Sequence, residues 1–211
     1  STKNPKIKEL LRLSRSKERR ETGLFVIEGH IEISRAIESG YTIEKLFICR
    51  ELKGSDNESI LNRVPDVQII EVNNHVYSRI AYRDNHDGII AVARQKSLHL
   101  DELPIKENAL YLVLEKVEKP GNLGAILRTA DAAGIDAVII CDNQTDIYNP
   151  NAVRASLGCL FSNKVILSTS SHTIEFLKKR NIKIIASALQ KSVDYYQTNM
   201  EGSTAIVMGS E

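Results

Sequence analysis

No apolar run in this 211-residue chain reaches the ~18 residues needed to cross a bilayer. Its opening stretch, STKNPKIKELLRLSRSKERR, has no signal-peptide apolar core. Cysteine is scarce: Cys49, Cys141 and Cys159 are odd in number, far apart, and include no CxxC. That argues against a disulfide framework and a zinc cluster, and a reducing cytoplasm fits best. The five histidines (His30, His75, His86, His99, His172) show no metal-ligand spacing, and no Ser–His–Asp grouping is visible. Neither GxGxxG nor a Walker sequence occurs, so glycines alone do not support a nucleotide-cofactor site. There is no internal repeat or low-complexity tract. With 42% hydrophobic residues, disorder, collagen and coiled coil are poor readings.

The balance of charge hides an asymmetry. Lys and Arg total 28 against 27 Asp and Glu, for a net +1. Residues 1–23 nevertheless hold eight basic and three acidic side chains, so that stretch carries +5 and the remainder −4. A basic segment on an acidic body is either a contact for a phosphate backbone or a solvated helix face, and charge alone favours neither.

Apolar patterning divides the chain into two α/β segments. LFVIEG (24–29), KLFIC (45–49), VQIIEV (67–72) and GIIAVA (88–93) read as strands of the first. A helix is expected around Ile7, Leu10 and Leu11, and another over HIEISRAIESG, stopping at Gly40. RQKSLHLDELPIKEN (94–108) is polar and aperiodic, which gives domains at 1–94 and 109–211 joined by a linker over 95–108. In the second segment, ALYLVLE (109–115), AVIIC (137–141), KVILS (164–168), KIIASAL (183–189) and TAIVMG (204–209) alternate with helical patterns at 122–133, 151–157 and 172–180. Continuous apolar strands alternating with helices imply a parallel sheet covered on both faces.

Ligands of such sheets collect outside the carboxyl ends of the strands. There the chain reads EKVEKPGNLGAILRTADAAG. Pro120 and Gly121 break the strand, Asn122 can cap the next helix, and Gly124 permits close backbone approach. Leu123, Ile126, Leu127 and Ala130 form an apolar stripe, and Arg128 falls outside it. The spacing suits a helix N-terminus facing a phosphate, but taken alone it favours an ordinary strand-to-helix turn.

PGNLGAILRTADAAG resembles motif 1 of the SpoU/TrmH RNA ribose methyltransferases, a branch of the trefoil-knotted SPOUT superfamily. NPNAVRASLGCLF (149–161) is similar to the family's following helix and IVMGSE (206–211) to the start of motif 2. The basic helix, SKERRETGLFVIEG and NHDGIIAV resemble the family's substrate-binding domain, which has a ribosomal-protein-like α/β fold. NHDG stands where many members have His-Gln-Gly. The sequence reaches Glu211 inside motif 2, so these 211 residues are expected to lack motif 3, which completes the knot and most of the cofactor pocket, and to be inactive by themselves.

The resemblance implies 2'-O-methylation of a ribose in ribosomal RNA, of the large subunit, with S-adenosylmethionine as methyl donor. A transfer-RNA substrate, or an RNA-binding protein without activity, is the alternative. It places Asn122 and Arg128 beside the target ribose, with Glu211 helping to hold the site, and the cofactor near Leu189 and Gly209. RNA is expected on Arg15, Lys17, Arg19, Arg20, His86 and Arg154, and the protein is expected to be a homodimer with no metal and no membrane partner. Arg154 and Ser156 resemble residues near the family's active site and dimer contact. Tyr77, Tyr82 and Arg83 could stack on unpaired bases or be half-buried in a small domain.

Overall fold

A computed structural model describes residues 4–52, 57–83, 87–104, 106–143, 145–188 and 192–209. Up to residue 96 the elements are α1 (Pro5–Arg12), α2 (Ser16–Thr22), β1 (Leu24–Glu28), α3 (His30–Glu38), β2 (Ile43–Ile48), α4 (Asn57–Arg63), β3 (Gln68–Glu71), α5 (Asn74–Ile80) and β4 (Ile89–Arg94). Then come β5 (Leu110–Glu115), α6 (Pro120–Ala132), β6 (Ala137–Cys141), α7 (Pro150–Ser156), α8 (Cys159–Ser162), β7 (Val165–Ser168), α9 (Ser170–Lys179), β8 (Lys183–Ala186) and β9 (Thr204–Met208). Packing groups residues 1–96 with 146–162 as one unit, and 97–145 with 163–211 as the other.

The first unit holds a four-stranded sheet in the order β1-β4-β2-β3. β4 runs antiparallel to β1 and β2, and β3 is parallel to β2. Alternation along the strands sends Val26, Phe47, Ile90 and Val92 to one face, where Ile7, Leu10 and Leu13 and the α5 residues Val76, Tyr77 and Ile80 close over them. Each such fully buried side chain contributes roughly 1.5–3 kcal/mol. α1 starts where Asn4 accepts a hydrogen bond from the Lys6 amide ahead of Pro5, and α2 ends at Gly23, whose φ of 67° suits glycine. On the other face Phe25 packs on Tyr148 (4.4 Å between ring centroids) and Phe161 (6.0 Å), so residues 146–162 cover β1.

The second unit is a five-stranded sheet, all parallel, in the order β7-β6-β5-β9-β8. Interior β6 is buried at every residue, as two-sided cover demands, whereas edge strands β7 and β8 leave Leu167 and Ile184 exposed. All nine expected strands form, with ends shifted by one or two residues; β8 stops at Ala186, short of the expected 189. In the stretch that follows β4, Leu100 and Leu103 are buried in the second unit's core, the first on a short 3-10 turn. That polar-looking stretch is thus anchored by two leucines.

Candidate functional site

The sheet order sets where a ligand can sit. From β5 the chain steps outward through β6 and β7, then crosses by α9 to the far edge and returns to place β9 on the other side of β5. The direction of winding reverses between β5 and β9, and a crevice opens at the carboxyl ends of such a pair. Glu115 ends β5 there and Gly209 follows β9. Among the described residues a Cβ added at Gly209 would meet Glu115 Oε2 alone, at 3.9 Å, an ordinary contact. Beneath lies an open cleft of about 270 Å³, lined by Val113, Glu115, Cys141, Ser170, Thr173 and Ile174 among others. Burial pushes the Cys141 thiol up, and its S–H donates to Thr173 Oγ1 at 3.2 Å, so this sulfur is a packed thiol rather than a nucleophile.

Two loops frame the crevice. The Lys116 amide donates to the Cys141 carbonyl at 3.1 Å, and the Thr145 hydroxyl donates to the Glu118 carbonyl, tying the loop after β6 to the loop after β5. Asp142 accepts from the Ser170 hydroxyl (2.5 Å) and amide (3.2 Å), which hold its carboxyl below the ordinary range. Asp142, Thr145 and Ser170 carry no recognisable motif and were not singled out by the sequence; the clue was their place just past strand ends.

α6 begins at Pro120, two residues before the expected start, with Lys119 rather than Asn122 at the cap position. Proline suits the first helical position because its φ is preset and its missing N–H would have no partner there anyway. Asn122 therefore lies inside the first turn, exposed, and is not the cap. Leu123, Gly124, Leu127 and Ala130 are buried, Ile126 is half-buried, and Arg128 is exposed on the outer side. Asn122 and Arg128 are both exposed on α6, about 9 Å apart along its axis and about 120° apart around it. Leu189 and Glu211 lie outside the described residues, as does His86.

In the first unit Arg15, Lys17 and Arg20 are exposed, but Arg19 is 1% exposed. Arg19 Nη1 donates to the carbonyls of Leu13 (2.7 Å) and Ser14 (2.9 Å), and Nε and Nη2 meet Asp146 Oδ2 at 2.8 and 2.7 Å. It faces inward and offers nothing to an RNA. Arg154 is exposed and donates to the Tyr82 carbonyl at 3.2 Å, while Glu28 accepts from the Tyr82 amide at 2.6 Å. Arg83 is paired with the buried Glu32. Tyr77 is fully buried with its hydroxyl on the Ile89 carbonyl at 3.1 Å and cannot stack on a base; Tyr82 is half-buried. Ser156 is buried, its hydroxyl on the Val153 carbonyl at 2.8 Å.

Comparison with known proteins bears on both units. The SpoU rRNA Methylase family profile matches residues 109–211, and the MRM3-like substrate binding domain matches 4–91. The 23S rRNA (guanosine(2553)-2'-O)-methyltransferase RlmP of Bacillus subtilis is 29% identical over all of this chain and 81% of its own length. RlmB of Haemophilus ducreyi, a 23S rRNA (guanosine-2'-O-)-methyltransferase, is 34% identical over 80% of this chain and 73% of its own. The crystal structure of an AdoMet-bound rRNA methyltransferase from Sinorhizobium meliloti superposes with a TM-score of 0.90 at 28% identity, over 100% of this chain and 80% of that one. A parallel sheet with an open β5–β9 crevice, an α6 that turns Arg128 outward, and relatives matching along both units lead to one assignment: the chain belongs to the SpoU/TrmH family of RNA methyltransferases.

Proposed function

We propose that this protein transfers a methyl group from S-adenosylmethionine to a ribose 2'-hydroxyl of large-subunit ribosomal RNA. The observation that carries the reading is the outward-facing Arg128 on the helix that leaves the β5–β9 crevice, in a chain whose full-length relative RlmP bears the name of a 23S rRNA 2'-O-methyltransferase.

The residues present fit one edge of a site for the methyl donor. Space at Gly209 that no described side chain claims, beside the Glu115 carboxylate, suits a flat apolar group laid on backbone next to a cation-tolerant edge. When bound, S-adenosylmethionine supplies an electrophilic methyl group on a sulfonium. Asn122 and Arg128 act on the acceptor. A guanidinium stays protonated, so Arg128 works as a donor: it grips a phosphate beside the target ribose with two parallel N–H bonds and offsets negative charge growing on the 2'-oxygen. Asn122, free of capping duty, orients the same hydroxyl. Arg15, Lys17 and Arg20 hold RNA backbone, and Arg154 fixes the 82–83 backbone for a neighbouring contact. Leu189, Glu211 and His86 are assigned to cofactor, site and RNA by resemblance alone.

The protein acts in the cytoplasm as a two-fold homodimer, the commonest assembly and the one the resemblance implies; light scattering of native protein tests this. The activity test is transfer of labelled methyl to purified 23S rRNA and to tRNA, with the site mapped as a gap in alkaline hydrolysis. Label in 23S rRNA alone is the expected result. Label in tRNA alone, or RNA binding with no transfer, overturns the reading.

A further inference from the structure

A second open cleft, of about 190 Å³, lies between α1, α2 and the sheet of the first unit, and none of the residues assigned to catalysis or RNA backbone lines it. Its floor is apolar, from Leu10, Leu13, Leu24 and Val92. The cause of the opening is visible in the register. Lys45 pairs with Val92 and shares the helix-facing side with Phe47, two residues on. A lysine where the helix would otherwise seal against the sheet must send its ammonium outward, and it does so to Glu9 at 2.8 Å.

The rim is cationic: Lys6, Arg12 and Lys45 face Glu9, with Glu18 the second carboxylate. The Lys45 bond, and then the charges of Arg12 and Lys6, hold the Glu9 carboxyl below its ordinary value. Three cations against two carboxylates thus leave the mouth at +1, and Lys6 and Arg12 belong to the segment that carries +5. The volume is below the ~300 Å³ at which drug-sized sites begin, so the cleft admits one ring system and excludes a peptide segment. An apolar slot for a ring with cations at its lip matches a nucleotide, whose base leaves water while its phosphate stays charged.

We propose that this cleft takes one unpaired nucleotide of the RNA substrate, with its base on Leu24 and the alkyl stem of Lys45, above the buried Leu13 and Val92, and its phosphate on Lys6 and Arg12. The inference rests on the ribosomal-RNA reading and deepens it, adding an anchor on the first unit apart from the reacting ribose. Glu9 then opposes the ligand, since its carboxylate competes with the phosphate for the same cations.

The test is a titration of native protein, with leucine and valine methyls labelled for NMR, using adenosine 5'-monophosphate and, separately, inorganic phosphate. Saturable shifts at Leu13, Leu24 and Val92 with the nucleotide but not with phosphate are expected. Lys6→Gln with Arg12→Gln should weaken nucleotide binding by about tenfold or more, because both charge-assisted bonds to the phosphate disappear. Glu9→Gln should tighten it. Removing two positive charges elsewhere, by Lys164→Gln with Lys178→Gln, should change nothing. Equal shifts with inorganic phosphate, or equal weakening by the distant pair, would overturn the proposal. If the Lys6→Gln, Arg12→Gln protein methylates 23S rRNA with unchanged KM, the cleft proposal falls and the methyltransferase reading stands. If native protein methylates no RNA, both fall.

Discussion

Buried Arg19 and half-buried Asp146 form an ion pair across 127 residues of sequence, with Nε and Nη2 both on Asp146 Oδ2 at 2.8 and 2.7 Å. The remaining guanidinium N–H groups meet the carbonyls that end α1, so every side of the charge is answered. This arginine joins α2 to the segment that precedes α7. Its neighbours Arg15 and Arg20 are exposed and do no such work.

Stability should therefore separate Arg19 from its neighbours. Arg19→Ala leaves the half-buried Asp146 carboxylate and two carbonyls without their donor; breaking a fully buried pair costs about 3–5 kcal/mol, and the partial exposure of Asp146 puts this one at about 2–3 kcal/mol. Arg15→Ala and Arg20→Ala should stay within about 0.5 kcal/mol of wild type, as exposed substitutions do. Urea unfolding of the three variants measures this. Equal midpoints for all three would show that the pair contributes no stability.

RNA affinity should sort the same residues the opposite way. Replacing Arg15, Lys17 and Arg20 together removes up to three cations from the phosphate backbone. The slope of log affinity against log salt should then flatten by about 0.7–0.9 for each phosphate no longer neutralised. The measurement is filter binding of an rRNA fragment across a salt series. A slope identical to wild type would remove α2 from the interface.

These two opposed outcomes mark what could be read from the residues and what could not. Strands such as AVIIC announce themselves because a parallel strand buried on both faces has to be apolar throughout. The outward position of Arg128 followed from the spacing of Leu123, Leu127 and Ala130 on one helical face. Depth of a charged residue follows no such periodicity. Arg19 sits in a basic run beside Arg20, and only its distant partner Asp146 draws it inward. Asn122 was misplaced as a cap because Asn and Pro both mark helix starts, and Pro120 came first. The narrow cleft beside Lys45 depends on a pairing between β2 and β4, which no local pattern contains.

Acid should loosen the second unit through Asp136. Its carboxylate accepts from Lys106 Nζ at 2.7 Å and from the Leu110 amide at 2.9 Å, fastening the start of β5. The Lys106 bond, then the Leu110 amide, hold its pKa below the ordinary 3.8. A carboxyl depressed in the folded state stabilises fully above its unfolded value and loses that contribution as pH falls through its folded value. The Tm gap between wild type and Asp136→Asn should be open at pH 7 and close below about pH 4. A gap unchanged at low pH would mean that the carboxylate's charge is irrelevant.

Arg128 offers the sharpest test of the catalytic reading. Its side chain is exposed and off the buried stripe of α6, so Arg128→Ala leaves no core cavity, and alanine is the better helix former. Folding and S-adenosylmethionine affinity should stay near wild type, as read by thermal melting and calorimetry. Methyl transfer to 23S rRNA should fall by ~10²–10³ or more, the cost of losing a donor that acts mainly in the transition state. Arg128→Lys should fail as well, since an ammonium cannot reproduce a planar two-pronged grip on phosphate. Rescue by lysine would reduce the residue to a point charge. Near wild-type transfer by the alanine variant would remove Arg128 from the reaction altogether, and with it the reason to place the ribose beside α6.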